Sequence, residues 1–246
     1  MPEGAAALTL PKKFYKDAAH EAVEDGYRVT LDGKPMRTPL KEEFTVPTAP
    51  LAKAVAEEWA AQGEHIQPAT MPLTRLVNSA IDGARGREDA VTDDILAHAA
   101  SDLLFYRADA PEGLIAQQSL HWDPVLAWAR NDLGAPFVLG EGVMPVKQPQ
   151  ASLNRMRDRL AGFDAFGLSA LHVMTALSGS ALLALAVALG RLTPEEAWRA
   201  AHVDEDWQIS QWGEDTEAAA RREQRWRDFA AAARMLNLLR APVGGA

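Results

Sequence analysis

Two periods of apolar residues divide the chain near residue 48. Before it, short runs such as Tyr27-Arg28-Val29-Thr30-Leu31 and Phe44-Thr45-Val46 are set off by Asp25-Gly26 and Asp32-Gly33. An Asp-Gly pair supplies the positive φ that a tight hairpin needs, so this pattern predicts a small antiparallel sheet. After it, apolar residues recur at three and four, the spacing of one helix face. Thr48 can cap a helix that runs through Gln62 and stops at Gly63, and the same period predicts helices over 72–82, 88–105 and 111–130. Pro124 predicts a kink or a new start in the last of these. An extended piece at Pro136-Phe137-Val138-Leu139 precedes helices near 150–160, 166–189, 194–212 and 214–239. The clearest boundary is at Thr193, which can cap, with Pro194 at the first helical position and Glu196 completing a capping box. The expected fold is α+β, mainly α: a small antiparallel β domain over 1-47, then a helical domain over 48-246.

The run from Ala165 to Gly190 is long and uncharged enough to raise the question of a membrane span. It also carries Ser169, His172, Thr175, Ser178, Gly179 and Ser180 and has no aromatic belt, so it reads as a central core helix surrounded by neighbours. Composition narrows the rest. The 246 residues suffice for one large core, or for a small domain beside a larger one. A formal charge of −9 opposes nucleic-acid binding, and the basic stretch Arg221-Arg222 through Arg227 is interrupted by Glu223 and Asp228. With no cysteine there is no disulfide, thiolate zinc site or cysteine nucleophile. Met1 to Leu10 shows neither a charged start with an apolar run nor the arginines of a transit peptide, so the expected location is cytoplasmic.

Candidate chemistry concentrates between Leu177 and Glu214. On one continuous helix at about 100° per residue, Trp198, Ala201, His202, Ile209 and Trp212 share a stripe with Glu205 in its middle. A carboxylate in such a stripe calls for a partner, either an internal cation such as Arg75 or a group on another molecule. Trp207 and Val203 lie on the opposite side and can anchor the helix. The chain has no phosphate loop, dinucleotide fingerprint, Gly-x-Ser-x-Gly elbow or His-Glu-x-x-His pair. Ser178 within an apolar helix reads as bonding back to the preceding turn rather than as a nucleophile. His98 with Asp102, and His202 with Asp206, are spaced i to i+4, and each supplies half a metal site at most. A metal-dependent or His/carboxylate hydrolase using His202, Glu205 and Asp206 is the alternative to a binding protein.

Several landmarks gain meaning from their order. Lys12-Lys13-Phe14-Tyr15, Leu31-Asp32-Gly33-Lys34-Pro35 with Thr38-Pro39, Glu57-Glu58-Trp59 and Met71-Pro72-Leu73-Thr74-Arg75 come first. Asp102-Leu103-Leu104, Trp122-Asp123-Pro124, Leu177-Ser178-Gly179-Ser180 and Glu205-Asp206-Trp207-Gln208-Ile209 follow. This series resembles the F1 complex assembly factor 2 family, the ATP synthase assembly chaperones that handle the F1 α subunit, over roughly residues 12–240. The resemblance implies a β-rich N-terminal domain before a helical one, no enzymatic activity and no cofactor. It also implies a client, the unassembled F1 α subunit, shielded until the β subunit takes its place. Without a presequence the chain reads as a bacterial member, cytoplasmic where the eukaryotic equivalent would lie in the mitochondrial matrix, and monomeric when alone. The partner-binding candidates are Glu205, Asp206, Trp207, Gln208, Trp212, Arg75 and Trp59.

Overall fold

The computed structural model describes residues 10–141 and 146–240. They divide into two compact units, one running to Asn78 and rejoined by the chain from Leu238, the other from Ser79 to Asn237. The composition break at residue 48 therefore marks the end of the strand-rich sequence, whereas the units part at residue 78. A small sheet buries a face only against another layer. The first helix supplies that layer and stays with the sheet.

In the first unit, β1 (Ala18–Val23) pairs antiparallel with β2 (Gly26–Leu31), and the short strands β3 (Lys34–Pro35) and β4 (Thr45–Val46) both pair with β2. The β2–β3 turn holds Asp32 at φ 49° and Gly33 at φ 75°. Asp32 Oδ1 accepts from Lys16 N and Asp17 N at 2.9 Å each, which fixes the entering chain across the turn. Gly26 has φ 134°, and a Cβ there would stand 2.5 Å from the Val46 carbonyl oxygen, so only glycine lets β4 approach. Helix α1 (Ala49–Ala60) packs on β1 and β2 and closes a core of Val29, Phe44, Val46, Leu51 and Val55. Thr48 caps it as the sequence predicts, accepting from Leu51 N and donating to the Leu238 carbonyl at 2.9 Å. Glu58 caps α2 (Pro72–Ser79), its carboxylate accepting from Leu73 N, Thr74 N and the Thr74 hydroxyl at 2.8 Å each.

The second unit is helical. A π turn at Ala80–Ala84 leads to α3 (Glu88–Ala99) and a 3-10 turn at Leu103–Phe105. Next come β5 (Tyr106–Arg107), α4 (Glu112–Asn131), β6 (Gly140–Glu141) and α5 (Gln150–Leu160). The chain continues through α6 (Ala165–Ser178), α7 (Ala181–Ala188), α8 (Pro194–Ala201), α9 (Val203–Trp212) and α10 (Thr216–Arg240). β5 and β6 form a two-residue parallel pair, and α4 continues through Pro124 without restarting. α7 is buried along its whole length and packs against α3, α4, α6 and α8.

Three expected helices are shorter or divided. The one over 88–105 ends at Ala99, because the Asp102 side chain caps the 3-10 turn instead. The one over 166–189 breaks at Gly179, φ 72°, and restarts with the Ser180 hydroxyl accepting from Leu183 N. Ser178 bonds back to the Met174 carbonyl at 2.7 Å, as a structural serine does. The buried Asp102 carboxylate accepts from Leu182 N at 3.0 Å while Leu103 N donates to the Gly179 carbonyl, so the broken backbone is satisfied from another segment. The third break falls at His202, with φ −116° and ψ 19°, between α8 and α9. Among the described residues no helix is long and apolar enough to cross a membrane.

Candidate functional site

α8 begins with the full capping box: Thr193 Oγ1 accepts from Glu196 N, and Glu196 Oε2 accepts from Thr193 N at 2.8 Å. This start directs Ala197, Trp198 and Ala200 inward. His202 then ends the helix. Its Nδ1 lies 2.7 Å from the Trp198 carbonyl and its ring 4.0 Å from the Trp198 ring. Burial pushes the imidazole below its usual range, the bond to the Trp198 carbonyl opposing this and Arg222 adding to it. A neutral, packed ring that closes a helix turn is a structural part.

The break gives α9 a new phase. Val203 is buried, and Trp207 lies so close over α4 that a Cβ on Gly113 would stand 2.3 Å from the indole Cη2. Asp204 accepts from Gln118 Nε2 at 2.8 Å, a further tie to α4. With that face anchored, the other bears Glu205, Gln208 and Trp212, the last 79% exposed. The continuous apolar stripe inferred for Glu205 is thus broken at His202, and Glu205 is half-exposed rather than embedded. Its neighbouring cation is Arg222 of α10 at 3.9 Å, and Arg222 pairs more closely with Asp206 at 2.6 Å.

A shallow groove of about 500 Å³ opens beside this pair, lined by Trp198, Arg199, Asp206, Glu214, Arg222 and Trp226. Its aromatic floor is continuous with the core: the Trp198 ring lies 5.6 Å from Trp226 and 5.3 Å from Phe229. Glu214 makes no ion pair or hydrogen bond among the described residues. Arg222, Trp226 and Phe229 follow the i, i+4, i+7 spacing of one helix face, a signal that the reading of this stretch as an interrupted basic run passed over.

The remaining candidates lie elsewhere. Arg75 is an exposed residue of α2, in the first unit. Trp59 is half-buried on α1, its ring edge-on to Tyr15 at 5.5 Å. His98 Nδ1 faces the Asp94 carbonyl, and its ring faces His172 at 6.4 Å, not Asp102. Asp102 is instead fully buried at the start of α7, and burial pushes its carboxyl up to about 6 against the lowering bonds from Leu182, Ser180, Leu104 and Ala181. His121 lines a separate groove of about 280 Å³ with Arg199 and Glu196. Burial lowers its pKa, Arg199 adding to the effect and Asp206 opposing it. Among the described residues no three His, Asp or Glu side chains converge as metal ligands would.

Residues 12–130 match the family model of the ATP12 chaperone proteins. A crystal structure of a candidate chaperone from Agrobacterium tumefaciens is 50% identical, with TM-score 0.91 over 94% of this chain and 87% of that one. The crystal structure of Atp12 from Paracoccus denitrificans is 41% identical, with TM-score 0.88 over 94% of this chain and 99% of that one. The chain belongs to the ATP12 chaperone family. Mitochondrial protein atp12 of Schizosaccharomyces pombe is 24% identical over 214 residues, spanning 82% of this chain and 74% of that protein. The family resemblance carried by the ordered motifs therefore holds, and ATP12 membership makes this a chaperone fold with bacterial and mitochondrial relatives.

Proposed function

We propose that this ATP12 chaperone assists ATP synthase assembly by holding the unassembled F1 α subunit until the β subunit displaces it. Its client surface on this reading is the free face of α9 with the adjoining groove: Glu205, Asp206, Gln208 and Trp212, steadied by Arg222. The observation that carries the reading is the openness of this region. A hydrolase would need His202 free and aimed into a closed cleft with a second His or carboxylate, whereas His202 is packed on Trp198 and spends Nδ1 on a backbone carbonyl. A half-exposed acidic pair beside a largely exposed tryptophan fits the rim and anchor of a protein interface. A subunit of an obligate oligomer exposes its apolar interface until its neighbour arrives, and exchange for a larger interface needs no nucleotide. Trp207, the remaining α9 candidate, serves as the anchor to α4 rather than as a contact.

The test is suppression of F1 α aggregation, followed by light scattering at matched chaperone concentrations, for the natural protein and for Glu205→Lys. Protection by the natural protein is expected, with loss in the variant while its melting midpoint changes little, because an exposed pair contributes about 0–1 kcal/mol to stability. No protection by the folded natural protein would refute the client assignment. Protection intact in a stable Glu205→Lys would remove α9 from the interface.

A further inference from the structure

The first unit carries a groove of its own. It encloses about 360 Å³, with Phe14, Tyr15, Leu31, Met36 and Trp59 among its walls. Phe14 is 72% exposed, although its neighbour Tyr15 is buried. The aromatic wall is already ordered: Tyr15 donates its hydroxyl to the Trp59 carbonyl at 2.7 Å, and Phe14 stands edge-on to Tyr15 at 5.3 Å. Lys13 braces it from behind, its Nζ 5.0 Å over the Tyr15 ring and 3.0 Å from the Gln62 carbonyl. Among the described residues the Trp59 indole N–H has no acceptor.

The groove's charge is the second observation. Lys34 and Arg37 line it; the Lys34 ammonium makes no hydrogen bond among the described residues, and Arg37 Nη1 donates to the Lys41 carbonyl at 2.8 Å. The carboxylate among the lining residues, Asp32, is held by the backbone N–H groups of Asp17 and Lys16, which keep it below the usual carboxylate range. Two cations against one carboxylate leave the lining net positive, a local exception in a chain of net charge −9. Pro35 on β3 has no N–H to donate, which disfavours strand addition along that edge and leaves side-chain insertion as the mode of contact.

We infer that this groove docks an extended acidic segment of a protein partner, which inserts one large apolar side chain against Phe14, Tyr15 and Trp59 while its flanking carboxylates face Lys34 and Arg37. Concavity favours a single inserted side chain over a flat lipid surface. The site does not depend on the α9 reading, since none of its residues belongs to the second unit.

The experiment uses the full chain and a fluorescent peptide of alternating glutamate and leucine around one phenylalanine, followed by anisotropy. A second peptide carries lysine in place of glutamate. The expected result is saturable binding of the acidic peptide alone. Binding should weaken roughly tenfold or more in Phe14→Ser and in Lys34→Glu. Both substitutions alter exposed side chains, and circular dichroism checks that the variants stay folded. Absence of binding to the acidic peptide overturns the inference. So does equal binding of the lysine peptide, or binding that survives both variants. Vesicles of phosphatidylserine and phosphatidylcholine that bind the chain through Phe14, uncontested by the peptide, would make the groove a membrane contact and also overturn it.

Discussion

Asp102 provides the sharpest quantitative test of the structure. Its carboxylate is completely buried where α7 begins, and there two influences oppose each other. The N–H groups of Leu182 and Leu104 favour the charged form, while loss of water disfavours it and prevails, raising the pKa from 3.8 to about 6. A rise of that size corresponds to roughly 3 kcal/mol. Because the folded-state pKa lies above the unfolded one, the folded protein binds the extra proton between those two values. Stability contributed by this group is therefore greatest at low pH and falls as the pH climbs through about 6. Asp102→Asn removes the titration while keeping one acceptor for the buried N–H groups of Leu104 and Leu182. Urea denaturation of both proteins from about pH 4 to pH 7.5 should show the natural protein losing roughly 2–3 kcal/mol relative to the variant across that range. Taking the difference cancels the other titrating groups, which are shared. A pH-independent difference would refute the claim that desolvation dominates, and a difference of opposite slope would show that the helix start and its N–H groups hold the carboxylate below 3.8.

Three further outcomes probe the helical unit. Gly113→Val should drive a side chain into the space of the Trp207 ring and lower stability by about 1–3 kcal/mol, with a changed tryptophan emission as α9 lifts from α4; an unshifted melting midpoint would show that α9 is held by something else. A double-mutant cycle of Arg222→Ala and Asp206→Ala should give a coupling of about 0.5–1 kcal/mol that shrinks in high salt, and zero coupling at low salt would mean that the 2.6 Å pair is incidental. Thr193→Ala removes one half of the capping box and should cost about 1 kcal/mol in thermal unfolding, and a stability unchanged within error would show that Pro194 alone starts α8.

Where a structure is specified by neighbours along the chain, the sequence declared it. Asp32-Gly33 and Thr193-Pro194-Glu195-Glu196 act within a few residues, so the β2–β3 turn and the α8 cap stand where the pattern placed them. Thr48 likewise caps α1, and the sheet stays before residue 48. The series of short motifs was enough to indicate the family. Local periodicity failed where a distant group decides. Gly179 and Ser180 looked like two positions in one apolar helix, since nothing nearby announces that Asp102 will take the Leu182 N–H from another segment.

The same reason explains the reading of Glu205. Phasing a helix through His202 assumed an unbroken ladder of hydrogen bonds, but packing of that ring on Trp198 ends α8 and turns α9 by its own anchor, Trp207 over Gly113. Arg222 reaches the acidic pair from the following helix, so its role depends on how α10 folds back against α8 and α9. Sequence alone fixed the local turns, caps and periods and the kinship they express. Only tertiary structure decided which carboxylates are buried, which cations meet them and which face of α9 remains free, because burial and pairing are set by contacts between segments far apart along the chain.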